Sequence, residues 1–117
     1  MELSLKIVDD ISLAELSEMS QHMYDELVKA VVDVARGIVA VDADMHADEE
    51  SALLENGSTQ NELWGINLYP RSFGTDDFIE FDSMINLRPA QRNRSRSVED
   101  PAIQEKIRTI IAGVVHE

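Results

Sequence analysis

Hydrophobic and polar positions alternate at the start of the chain. Leu3, Leu5 and Ile7 interleave with Ser4 and Lys6, a period of two that predicts a short first strand. The period then lengthens. Ser12 and Glu15 have the capping-box spacing S-x-x-E, with Ile11 and Leu16 placed for a hydrophobic staple. A helix is therefore expected from Ser12 to about Tyr24, with Leu13, Leu16, Met19, Ser20 and Met23 on its inner side. From Leu27 the texture changes to LVKAVVDVARGIVAVDADM, rich in β-branched residues. Val28, Ala30, Val32 and Val34 share one parity before Arg36-Gly37, and Ile38 to Val41 resume after it. Gly37 supplies the positive φ that a tight reversal needs. A β-hairpin over roughly 28–35 and 38–45 is the expectation. One continuous helix is the competing reading, because valine runs containing alanine are ambiguous by periodicity alone.

A short helix is expected near 47–56, with Asp48, Glu49 and Glu50 suiting its positive N-terminus and Asn56-Gly57 its stop. Two strands follow. In 63–69, Trp64, Ile66 and Leu68 face one way, Asn67 and Tyr69 the other. In 78–88, Ile79, Phe81, Ser83, Ile85 and Leu87 point inward, with Glu80, Asp82, Asn86 and Arg88 outward. Residues 89–98 read as a polar, arginine-rich loop. Asp100 as N-cap and Pro101 at the first helical position open a last helix, whose apolar stripe is Ile103, Ile107, Ile110, Ile111 and Val114. The order β-α-β-β-α-β-β-α predicts an α+β fold: a mostly antiparallel sheet of about five strands with helices packed on one face.

The 117 residues fit one compact domain. Composition narrows the function. Against 23 acids stand 10 lysines and arginines, a formal net charge of −13, so nucleic acid is not expected as a partner. The charge is uneven, since residues 1–50 hold 13 of the acids and three of the bases. No cysteine is present, which removes thiol chemistry, disulfides and cysteine-based zinc sites. No apolar run approaches the length of a membrane span, and MELSLKIVDD lacks the basic flank and apolar stretch of a signal peptide. A cytoplasmic protein is expected.

Three clusters carry candidate chemistry. If the hairpin's second strand reaches residue 46, Asp42, Asp44 and His46 lie on one face, and Asp48 or Glu50 can close over them from the next helix. Carboxylates with one imidazole suit Mg²⁺, Mn²⁺ or Zn²⁺, and His46 with Asp48 and Glu50 is the candidate acid/base group. The bland alternative is a solvated acidic helix start. The second cluster is the run Arg88, Arg92, Arg94 and Arg96. There Arg94 and Arg96, with Asn93 and Ser95, could cradle an anion, or instead neutralise the protein's own acids. Third is the polar sheet face, Asn67, Tyr69, Glu80, Asp82, Asn86 and Arg88, a ligand surface or simply a wet one. His22 and His116 are expected to be incidental. There is no P-loop, G-x-G-x-x-G or G-x-S-x-G.

The strings VKAVVDVARGIVAV, HADEE, GSTQNELWGINLYP, IEFDSMINLRP and NRSRSVEDP resemble a family of small uncharacterised bacterial proteins, a domain-of-unknown-function family. The resemblance covers about Leu3 to Val115. It implies one compact domain in a bacterial cytoplasm and assigns no activity. The residues themselves favour a noncatalytic module that binds a small anionic ligand or a protein partner, with a homodimer possible. The alternative is a metal-assisted hydrolase or phosphate-processing enzyme using the His46 carboxylates and the arginine loop. A toxin-like ribonuclease is the weakest reading, because the body is so acidic.

Overall fold

The computed structural model of the chain describes residues 5–21 and 26–117. In order, the elements are β1 (Lys6–Val8), β2 (Ile11–Ser12), α1 (Leu13–Ser20), β3 (Val28–Asp33), β4 (Ile38–Val41), α2 (His46–Glu55), β5 (Leu63–Leu68), β6 (Ile79–Glu80), α3 (Pro101–Val114) and β7 (Val115–His116). Five strands form one sheet in the order β1-β4-β3-β5-β6, and every neighbouring pair is antiparallel. A short parallel pair, β2 with β7, ties the start of α1 to the end of α3. This is the expected α+β architecture. Expectations that fall on Leu3, His22, Met23 and Tyr24 lie outside the described residues.

Residues 28–41 form the hairpin, not the competing helix, with Ala30 opposite Val41 and Asp33 opposite Ile38. Gly37 takes φ 71° at the reversal, and its N–H donates to the Asp33 carbonyl at 2.9 Å. Both helix starts read from the sequence form. The Ser12 hydroxyl accepts from the Glu15 N–H at 3.1 Å, and Asp100 accepts from the Ala102 N–H at 2.8 Å. On one sheet face Val28, Ala30, Val32, Trp64, Ile66 and Leu68 meet Leu16 and Met19 of α1 and Ile107, Ile111 and Val114 of α3. That is the main core. At 25–30 cal/mol for each Å² of apolar surface removed from water, it is the dominant favourable contribution to folding.

Three details differ from the expectation. The second hairpin strand stops at Val41 rather than running to 45, because Asp42 adopts the left-handed conformation (φ 68°) and turns the chain out of the ladder. The expected strand 78–88 shortens to Ile79–Glu80. Beyond it the Ser83 hydroxyl accepts from the Ile85 N–H and starts a tight turn over Met84–Asn86, so the side chain outcompetes the sheet for the backbone. The Asn86 carboxamide then takes the place of a strand peptide: it accepts from the Gly65 N–H at 2.8 Å and donates to the Gly65 carbonyl at 2.9 Å. Asn86 is thus fully buried rather than outward, and Leu87 is exposed. The approach needs glycine, since a Cβ on Gly65 would fall 2.6 Å from Ser83 Cβ and Oγ. Finally, α1 and α3 share one face of the sheet, but α2 takes the other. There Leu53 packs on Val31, Ala40 and Leu63.

Candidate functional site

The polar chemistry gathers on the α2 face of the sheet. Side chains alternate along a strand, so Lys29, Val31 and Asp33 of β3 point there, as do Leu63, Gly65 and Asn67 of β5. The register sets Lys29 opposite Asn67, with Cβ atoms about 5 Å apart by the usual cross-strand spacing. Helix α2 lays Leu53 over the apolar half of this face. Glu49 and His46, four and seven residues earlier, lie on the same side of the helix and fall toward the polar half.

Glu49 is completely buried. Its Oε2 accepts from the Ala43 N–H at 3.2 Å, whereas Oε1 has no partner. Burial pushes its pKa well above the usual carboxylate value, against the opposing pull of the Ala43 hydrogen bond and the Lys29 charge; Asp42 and Asp48 push it further up. Glu49 is therefore a neutral carboxylic acid well into the range where an exposed glutamate is ionised. His46 Nε2 lies 2.8 Å from the Ile66 carbonyl oxygen. A carbonyl only accepts, so Nε2 carries the proton and Nδ1 is the acceptor of the neutral ring. Burial lowers the His46 pKa, opposed by that hydrogen bond; Lys29 and Arg96 lower it further and Asp82 raises it.

Asn67 is buried in a fixed orientation. Its Nδ2 donates to Glu80 Oε1 at 2.9 Å and to the Asp82 carbonyl at 3.2 Å, which leaves Oδ1 as a buried acceptor without a partner. Tyr69 donates its hydroxyl to the same Glu80 oxygen at 3.0 Å. Lys29 is half-buried and makes no ion pair among the described residues. The corner thus offers a cation, a carboxylic acid and two acceptors, most of them withdrawn from water.

The arginine loop runs alongside α2 but is largely committed internally. Arg88 donates Nε–H to the Ile85 carbonyl (2.9 Å), one terminal nitrogen to the Gln60 carbonyl (3.0 Å) and to Gln91, and the other to the Leu63 carbonyl and to Glu50 (3.5 Å). Its guanidinium also lies 4.7 Å from the Trp64 ring centroid. Five N–H groups are thus occupied, and burial lowers the Arg88 pKa against the Glu50 charge. Arg88 staples the open edge of β5. Asn93 is likewise structural, buried with its amide on the Asn86, Ser95 and Ser97 carbonyls and its oxygen on the Glu99 N–H. Arg96 Nε holds Asp82 at 2.7 Å. The exposed side chains of Arg92 and Arg94 form no ion pair among the described residues.

Of the acid-and-imidazole cluster, Asp42, Asp44 and His46 do not share a strand face, since β4 ends at Val41 and His46 is the first residue of α2. Asp44 and Asp48 are exposed, and Glu50 turns to Arg88. Among the described residues no three histidine, aspartate or glutamate side chains group so as to hold a metal ion. Sequence reasoning missed Lys29 and Glu49. Their signals were parity opposite to Val28 and Ala30, and the spacing His46, Glu49, Leu53 along one helix face.

The chain belongs to a family whose members are described as proteins of unknown function (DUF5674): the family model matches residues 5–114. No curated protein and no solved structure matches it. Among the described residues no helix is long and apolar enough to cross a membrane.

Proposed function

We propose that this protein is a binding module for a small anionic ligand, seated where Lys29, His46, Glu49 and Asn67 meet. What supports this most directly is that Glu49 Oε1 and Asn67 Oδ1 are both buried and both lack a partner. Leaving such a group unsatisfied costs about 1–3 kcal/mol, so orphaned pairs are kept where something else satisfies them. Lys29 would anchor the anion, protonated Glu49 would donate to it, and Asn67 Oδ1 calls for a hydroxyl or N–H donor on the ligand itself. An oxyanion that carries a proton fits these needs better than one that carries none. A bacterial cytoplasmic setting is part of the same proposal.

Hydrogenphosphate and sulfate separate the possibilities, because only the former has an O–H to give Asn67. Phosphate is expected to raise the melting temperature of wild type more than sulfate does at equal ionic strength. The Lys29→Gln variant is expected to lose that protection. Equal effects of the two ions, or full protection of Lys29→Gln, would remove the anion site from this corner.

One observation favours a second reading, a phosphate-processing enzyme. His46 is held neutral as an acceptor while Glu49 is held neutral as a donor, on one side of one helix. A neutral acid able to donate and a neutral imidazole able to accept match the requirements of acid–base catalysis. Turnover of a phosphate monoester that disappears in His46→Gln would favour the enzyme; saturable phosphate binding without turnover favours the module.

A further inference from the structure

A cavity lies on the α3 side of the sheet, away from the polar corner. It has a volume of about 320 Å³. Phe73 and Phe78 form one wall, in edge-to-face contact with centroids 5.2 Å apart, and Ile111 and Val115 form another. Two opposite charges line the same space from different elements, Arg108 from α3 and Asp76 from the loop before β6. Neither is neutralised by the other among the described ion pairs. Arg108 is steadied beside the cavity by the Phe81 ring, 5.1 Å from its guanidinium, with Glu105 at 3.9 Å. Asp76 sits in a loop pinned by Thr75, whose hydroxyl donates to the Ser72 carbonyl at 2.7 Å and accepts from the Asp77 N–H at 3.2 Å.

We infer that this cavity binds a free hydrophobic α-amino acid, with its side chain between the phenylalanine wall and Ile111 and Val115, and its carboxylate and ammonium on Arg108 and Asp76. Size sets the scale. A cavity of about 150 Å³ accommodates benzene, so this one has room for a single ring or branched chain plus the groups on one α-carbon. Charge sets the class. A plain carboxylate leaves Asp76 facing an anion in a protein of net charge −13, and a plain amine leaves Arg108 facing a cation. A zwitterion matches both, and partial removal from water strengthens each contact.

Calorimetric titration with L-phenylalanine and L-leucine tests this, alongside phenylacetate, which lacks the ammonium, and phenethylamine, which lacks the carboxylate. Either amino acid is expected to bind at least about tenfold more tightly than both single-charge analogues. Ala112, exposed on α3 and part of the cavity lining, provides the filling variant, Ala112→Phe. It is expected to abolish binding without lowering the melting temperature. Should it fold poorly, Asp76→Asn in the exposed loop is expected to weaken L-phenylalanine and to tighten phenylacetate, which no longer faces an acid. Absence of heat with both amino acids at millimolar concentration overturns the inference. So does equal affinity for the analogues, or undiminished binding by a folded Ala112→Phe.

Discussion

Two carboxylates are buried on the same sheet face, one under each end of α2, and they are treated in opposite ways. Asp33, 1% exposed, lies at the C-terminal end. One of its oxygens accepts from the Ala35 and Arg36 N–H groups at 2.9 Å each, and the other accepts from the Ser58 hydroxyl at 2.6 Å. Arg36 closes the corner by donating to Ser58 Oγ and to the Asn56 carbonyl, a cation at a helix C-terminus. Glu49, 0% exposed, lies at the N-terminal end with one donor and an empty oxygen. Burial is therefore not what marks a site. A buried acid surrounded by donors is part of the scaffold; one left short of partners, beside a half-buried lysine, is where the proposed ligand would sit.

Replacing Asp33 should break the first corner and do the most damage. Asp33→Ala removes three hydrogen bonds to a buried side chain and strands the turn's N–H groups, a loss of about 3 kcal/mol by urea unfolding. A loss below about 1 kcal/mol would mean that the turn is held by Gly37 and the ladder alone. Ser58→Ala is the sharper and smaller test. It strips the donor from one Asp33 oxygen and leaves that acid short of partners, as Glu49 is. The expected cost is about 1–2 kcal/mol, with no effect on protection by phosphate.

The same contrast explains how much was legible beforehand. The hairpin was readable because Gly37 and the parity of Val28, Ala30 and Val32 are local signals, and so were the caps at Ser12 and Asp100. The strand ends were not. Asp42 and Ser83 stop their strands through backbone conformation and side-chain competition that period-two patterns do not register. The face taken by α2 was hidden as well, since its inward stripe is His46, Glu49 and Leu53, two polar residues for one apolar. Lys29 and Glu49 carried no signal of their own, because charges of their types ordinarily face solvent. Arg88 misled in the other direction. Its resemblance to an anion ligand came from composition, whereas its true partners are carbonyls of Gln60, Leu63 and Ile85, two of them far away in sequence.

The smallest effect probes Glu49 directly, through pH. Its folded-state pKa lies above the unfolded value of 4.5, so between those two values the folded chain keeps a proton that the unfolded chain has released. Stability must therefore fall as pH rises through that window. Glu49→Gln cannot ionise. It should match wild type near pH 4.5 and become progressively more stable than wild type above it, read as urea midpoints across the range. His46 acts on the other limb. Its folded pKa lies below 6.5, so the unfolded chain protonates first as pH drops below that value, and stability is lost toward acid. His46→Gln should flatten only that acid limb. If instead Glu49→Gln falls progressively behind wild type as pH rises, the acid is ionised and paired in the folded protein. The two ends of α2 would then be alike, and the polar corner would lose its claim to a ligand.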